Sequence, residues 1–186
     1  MSAAGAVTHL RAHPDTPRVH VWSIDVEAQF TGGTSLSCRY RLRGDTARLR
    51  LPPVAVGRRA DGLWRHTCFE AFVAAAGTAG YYELNFSPAR DWAAYRFAGY
   101  RTGMCAATLD QPPALEVRCS SDALELAATV HLAGLAPLRH APALRLALAA
   151  VIEENDGRLG YWALWHPPGN PDFHHSEGFT LELPSA

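Results

Sequence analysis

The sequence predicts an all-β protein, an antiparallel two-sheet β-sandwich. Three observations predict it. Hydrophobicity alternates with a period of two along most of the chain, turn signals break that alternation at short intervals, and no helical stripe is sustained. Taken together they give about ten short strands.

From Trp22 onward, Ile24, Val26, Ala28 and Phe30 are apolar, while Ser23, Asp25, Glu27 and Gln29 between them are polar. That pattern is a half-buried strand. After the turn Thr31-Gly32-Gly33-Thr34 it resumes, with Cys38, Tyr40 and Leu42 set against Arg39, Arg41 and Arg43. Leu49 and Leu51 against Arg48 and Arg50 repeat it once more. Further strands are predicted at 67–73, 81–86, 93–97, 115–119, 124–132, 144–152, 159–165 and 179–183, parted by turns such as Ser120-Ser121-Asp122 and Asn155-Asp156-Gly157. One segment conflicts. Residues 143–155 are rich in Ala, Leu and Glu and have helical propensity, yet Leu144, Leu146, Leu148, Ala150 and Ile152 alternate before an Asp-Gly turn. The alternation predicts a strand. Pro52-Pro53 and Pro112-Pro113 read as loop stiffeners within one domain over 15–184, preceded by a tail at 1–14.

The chain has 186 residues, 48% hydrophobic and 19% charged, with a formal charge of −1. Such a balance offers no long-range attraction to nucleic acid or an anionic membrane. All 17 basic residues are arginine, which excludes Schiff-base and phosphate-loop lysine chemistry. No apolar run reaches the ~18 residues of a membrane helix, and Met1 to Leu10 has no secretory pattern. Cys38, Cys68, Cys105 and Cys119 are scattered, so they read as mostly packed, reduced thiols in a cytoplasmic protein.

Three stretches concentrate aromatic and polar groups. In Gly62-Leu-Trp-Arg-His-Thr-Cys-Phe-Glu, an extended chain would put Trp64, His66, Cys68 and Glu70 on one face. An indole beside a carboxylate suits a sugar, whose C–H face packs on the ring while its hydroxyls donate to the acid. A core tryptophan with an arginine-paired glutamate fits the same string. In Tyr81-Tyr-Glu-Leu-Asn-Phe-Ser-Pro, Tyr82, Leu84 and Phe86 make an apolar face and Tyr81, Glu83, Asn85 and Ser87 a polar one. The third, Tyr161-Trp-Ala-Leu-Trp-His-Pro-Pro-Gly-Asn-Pro-Asp-Phe-His-His, is stiffened by its prolines. It offers His166, Asp172, His174 and His175 as metal ligands, although their spacing matches no metal motif. There is no nucleophile elbow, phosphate loop or dinucleotide fingerprint. Glu70 and Glu83 have the residue types of a glycosidase dyad, but a sandwich this small lacks the deep cleft.

These three strings resemble the DOMON-like domains of bacterial proteins, which are related to the family 9 carbohydrate-binding modules. The similarity spans about residues 15–184. It implies a jelly-roll-like sandwich that binds sugar or haem. Trp64 and Glu70 match the modules' stacking tryptophan and its hydrogen-bonding glutamate six residues on. Trp165, or else Trp162, matches the second stacking tryptophan, with Asn170, Asp172 and His174 as polar contacts. Glu83 stands where the modules carry a sugar-binding arginine, and their calcium ligands have no counterpart. A haem alternative would use Met104 with His66, His166 or His174 as axial ligands.

The expectation is therefore a non-catalytic domain with no cofactor that binds a small polar ligand, a carbohydrate. Its site residues would be Trp64, His66, Glu70, Glu83, Asn85, Trp162, Trp165, Asn170, Asp172 and His174. A metal-dependent enzyme using the 166–175 loop, or an aromatic groove docking a partner protein, are the alternatives.

Overall fold

The computed structural model describes residues 6–16, 20–32 and 34–184. Twelve strands dominate it: β1 (Ala6–Ala12), β2 (Val21–Thr31), β3 (Ser35–Gly44), β4 (Cys68–Ala75), β5 (Tyr81–Phe86), β6 (Trp92–Phe97), β7 (Cys105–Ala106), β8 (Ala114–Cys119), β9 (Ala123–His131), β10 (Ala143–Glu153), β11 (Leu159–Ala163) and β12 (Leu181–Pro184). Every strand pairing is antiparallel. The strands follow one continuous path, β7-β6-β5-β4-β10-β11-β1-β2-β3-β9-β8, with β12 beside the start of β10. The only helices among the described residues are single 3-10 turns.

The sheet curls so that residues distant along this path share one core. Ile24, Val26, Tyr40, Leu42, Leu124 and Leu126 from β2, β3 and β9 are buried with Phe69, Leu84, Leu146 and Leu148 from β4, β5 and β10. The alternation in β2, β3 and β9 is that of strands with one covered face. By contrast, β4 and β5 are buried at every residue. Their second face carries a separate cluster, including Phe72, Ala74, Tyr81, Tyr95 and Phe97, which Leu63, Trp64, Phe173 and Phe179 cover from loops. β10 is likewise buried on both faces and paired along both edges, so tertiary pairing overrides its helical propensity.

Three expectations need correction. Residues 6–12, assigned to a tail, form β1 between β2 and β11. The strand around Leu49 and Leu51 is absent. There a 3-10 turn capped by Asp45 precedes an isolated Leu49–Glu154 bridge, and the prolines beyond deny the ladder its N–H donors. The cysteines are all free thiols, but only Cys38 and Cys68 are buried.

Candidate functional site

The second face of β4–β5–β6–β10–β11 explains where a pocket forms. One register row across it reads Ala93, Asn85, Glu70, Ala149, Ala163. Small side chains on both sides of a polar pair leave a depression, while the next row, Tyr95, Glu83, Phe72 and Ala147, is bulkier. The cavity there measures about 340 Å³ and is lined by Trp64, Glu70, Glu83, Phe97, Arg101, Met104, Val151, Tyr161, Pro171, Phe173 and His174.

Trp64 arrives by a different route from the one its spacing suggested. Gly62 adopts φ 76°, a left-handed conformation natural to glycine, and opens a 3-10 turn over Leu63–Arg65. The strand starts only at Cys68. Half-buried Trp64 packs edge-on against Tyr95 at 5.7 Å and forms one wall. His66 is turned away. It is exposed, its Nδ1 lies 2.7 Å from Glu153 Oε2, and it lines a neighbouring cavity with Arg50 and Thr67.

Glu70 and Glu83 form the acidic floor. Glu70 is 3% exposed and its Oε1 has no hydrogen-bond partner. Burial, and then the nearby charge of Glu83, push its carboxyl well above the usual range. Burial also raises Glu83, opposed by a 2.7 Å bond donated by Asn85 Nδ2 to Glu83 Oε1 and by the charge of Arg101. Asn85 is fully buried and its own Oδ1 is unpartnered.

The loop after β11 closes the other side. His174 shares a 2.8 Å bond with the Tyr81 hydroxyl through Nδ1, and its Nε2 stands 3.7 Å from Glu83 Oε2. Burial, and then the Arg101 charge, push His174 down to about 4, so the ring is neutral. Asp172 braces this loop, accepting from Tyr100 Oη at 2.6 Å, Arg101 Nη2 at 2.7 Å and the His174 N–H at 3.0 Å. Against the upward pull of burial, the bonds from Tyr100 and Arg101 hold its carboxyl below the usual range.

The fold thus brings Trp64, Glu70, Glu83 and His174 to one pocket, with Asn85 bonded beneath and Asp172 as a brace. Four expected residues lie elsewhere. His66 is held by Glu153, and Trp162 is 3% exposed in the main core. The Trp165 ring lies tilted on His175 at 5.0 Å, and Asn170 is exposed at the loop tip. Phe97, Arg101, Met104, Tyr161 and Phe173 were missed. Strand alternation signals Phe97 on β6 and Tyr161 on β11; the others depend on loop paths.

The four metal candidates do not converge. His166 Nε2 donates to the Arg11 carbonyl at 2.8 Å, His174 faces Tyr81 and Glu83, and His175 Nδ1 accepts from the Glu177 N–H at 3.3 Å. Among the described residues no group of three or more such side chains is placed to hold an ion. Met104 and His174 do share the pocket, but both nitrogens of His174 are turned to protein groups, which does not fit haem ligation. His66 is likewise directed at Glu153, and His166 at the Arg11 carbonyl.

No protein-family model matches the sequence, and no curated protein does. Among solved structures, a candidate carbohydrate-binding protein from Bacteroides uniformis is similar in fold. Its TM-score is 0.70 at 14% identity, covering 97% of this chain and 86% of the other. A family 9 carbohydrate-binding module from Caldicellulosiruptor kristjanssonii, in complex with glucose, gives 0.50 at 10% identity over 95% and 84% of the two chains. The cellotriose complex gives 0.50 at 10% identity over 95% and 82%. The likeness is one of fold: an all-β, curled antiparallel sheet.

Proposed function

We propose that the chain is a non-catalytic, DOMON-like carbohydrate-binding domain, and that its ligand is a mono- or short oligosaccharide seated on Glu70 and Glu83 against Trp64. One observation carries this reading. Two buried acceptors on one sheet face have no partner among the described residues: Glu70 Oε1, which lines a pocket with aromatic walls, and Asn85 Oδ1 on the neighbouring strand. A buried acceptor left unpaired costs about 1–3 kcal/mol. A polyhydroxylated ligand removes that cost by donating hydrogen bonds, while its C–H face packs on the half-buried indole of Trp64. The cavity of about 340 Å³ is of ligand size. The fold shared with modules solved in complex with glucose and cellotriose agrees with it.

The two acids do not suggest hydrolysis. Glycosidase carboxyls flank the scissile bond from opposite sides. Here both rise from adjacent strands of one floor and meet a ligand from the same side.

Titration of tryptophan emission and calorimetric heat with a panel of neutral and amino sugars tests the reading. Saturable binding that Trp64→Ala weakens supports it. No response to any saccharide in the panel overturns it.

A further inference from the structure

Among the described residues four glutamates are buried: Glu70, Glu83, Glu153 and Glu154. Two of them have arginine partners. Arg50 Nη1 lies 3.0 Å from Glu153, and Arg158 Nη2 lies 3.0 Å from Glu154. Half-exposed Glu125 has two, Arg39 at 2.8 Å and Arg41 at 3.0 Å. Buried carboxylates normally require such a cation. Glu70 and Glu83, the pair in the pocket, have no arginine salt bridge among the described residues. Arg101, the one cation of the pocket lining, directs its guanidinium to Asp172 at 2.7 Å. His174 is neutral and stands 3.7 Å from Glu83. The missing partner is therefore a cation as well as a hydrogen-bond donor.

We infer that the pocket selects a saccharide bearing a free amino group, bound as the ammonium ion between Glu70 and Glu83. This rests on the carbohydrate reading above and sharpens it. An ammonium group carries three N–H donors and one positive charge. Glu70 Oε1 and Asn85 Oδ1 are both acceptors without a donor, and Asn85 sits opposite Glu70 in the register of β4 and β5. A hydroxyl would satisfy one acceptor and leave the buried pair holding its protons, whereas an ammonium ion supplies the charge that lets the pair ionise. The amine satisfies both requirements, and the face of Trp64 favours a cation as it favours a sugar ring. An N-acetyl group removes the charge and adds bulk above the floor.

The test is calorimetric titration of the full chain with 2-amino-2-deoxyglucose, glucose, N-acetylglucosamine and ethanolamine, in one buffer and salt. The amino sugar is expected to bind about tenfold or more tightly than glucose or the acetylated sugar, the scale of one charge-assisted contact. Glu70→Gln and Glu83→Gln are each expected to erase most of that preference, weakening the amino sugar far more than glucose. Glucose or N-acetylglucosamine binding as tightly as the amino sugar overturns the inference and leaves the carbohydrate reading standing. Ethanolamine matching the amino sugar overturns the saccharide part of it. Silence from every sugar overturns the carbohydrate reading itself. The amine-against-acetyl contrast needs no variant, so it decides even where a substitution prevents folding. Survival of the preference in both folded glutamine variants also overturns the inference.

Discussion

The Tyr81 hydroxyl and the His174 ring meet at 2.8 Å, joining strand β5 to the loop that closes the pocket. The same hydroxyl accepts from the Arg101 N–H at 3.2 Å, so it holds the segment after β6 as well. The other ring nitrogen, Nε2, stands 3.7 Å from Glu83 Oε2. The Tyr81 ring stacks on Phe97 at 4.9 Å, which fixes where the hydroxyl stands. One phenol thus positions two loops and the histidine ring between them.

Tyr81→Phe keeps the stacked ring and removes that hydroxyl. A net loss of about 1 kcal/mol in folding stability is expected, read as a lower urea midpoint with an unchanged slope. Ligand affinity is expected to fall as well, because His174 and Arg101 lose their common anchor. A variant with wild-type stability and affinity would show that the Asp172 brace alone orders the loop.

The buried groups set a pH dependence with two opposed arms. His174 is pushed down to about 4 from an ordinary 6.5. Between those values the unfolded chain takes up a proton that the folded ring refuses, so stability falls as pH drops through that window. Glu70 and Glu83 are raised above 4.5. Above 4.5 the unfolded carboxyls ionise while the folded ones hold their protons, so their contribution falls as pH rises toward the folded values. Glu70→Gln is therefore expected to be more stable than the wild type at pH 7. The two should converge near pH 4, where both side chains are neutral. Urea unfolding at a series of pH values checks this, and a gap that does not change with pH refutes the account.

Much of the fold was legible in the sequence, for a physical reason. Strands with one covered face, such as β2 and β3, print their burial pattern directly as alternation. β10 was legible despite its composition because Leu144, Leu146, Leu148, Ala150 and Ile152 all face the core. β1 was not, since His9 and Arg11 on its exposed side and Ala6 on its covered side carry little contrast. The site was half legible. Glu70, Glu83 and Asn85 share a strand face that period-two spacing encodes, and the structure keeps them together. Trp64 reaches them through a left-handed glycine and a 3-10 turn, a path that extended spacing does not describe. Arg101 and Phe173 come from loops brought in by tertiary packing, which no local pattern records, whereas Tyr161 lies on β11, where the alternation is legible.

The tryptophans separate packing from binding most directly. Trp162 is 3% exposed and belongs to the main core, so Trp162→Ala is expected to cost about 3–5 kcal/mol of stability. Trp165 stacks on His175 outside the pocket lining, so Trp165→Ala is expected to leave saccharide affinity within about twofold and stability within ~1 kcal/mol. Trp64 is half-buried and touches Tyr95 edge-on. Trp64→Ala is expected to spare the fold yet weaken binding by about 1 kcal/mol or more, the scale of a lost aromatic contact. Parallel melting curves and titrations of the three variants check the set. Wild-type affinity in Trp64→Ala, together with a loss in Trp165→Ala, would move the ligand out of this pocket and onto the outer loop around His175.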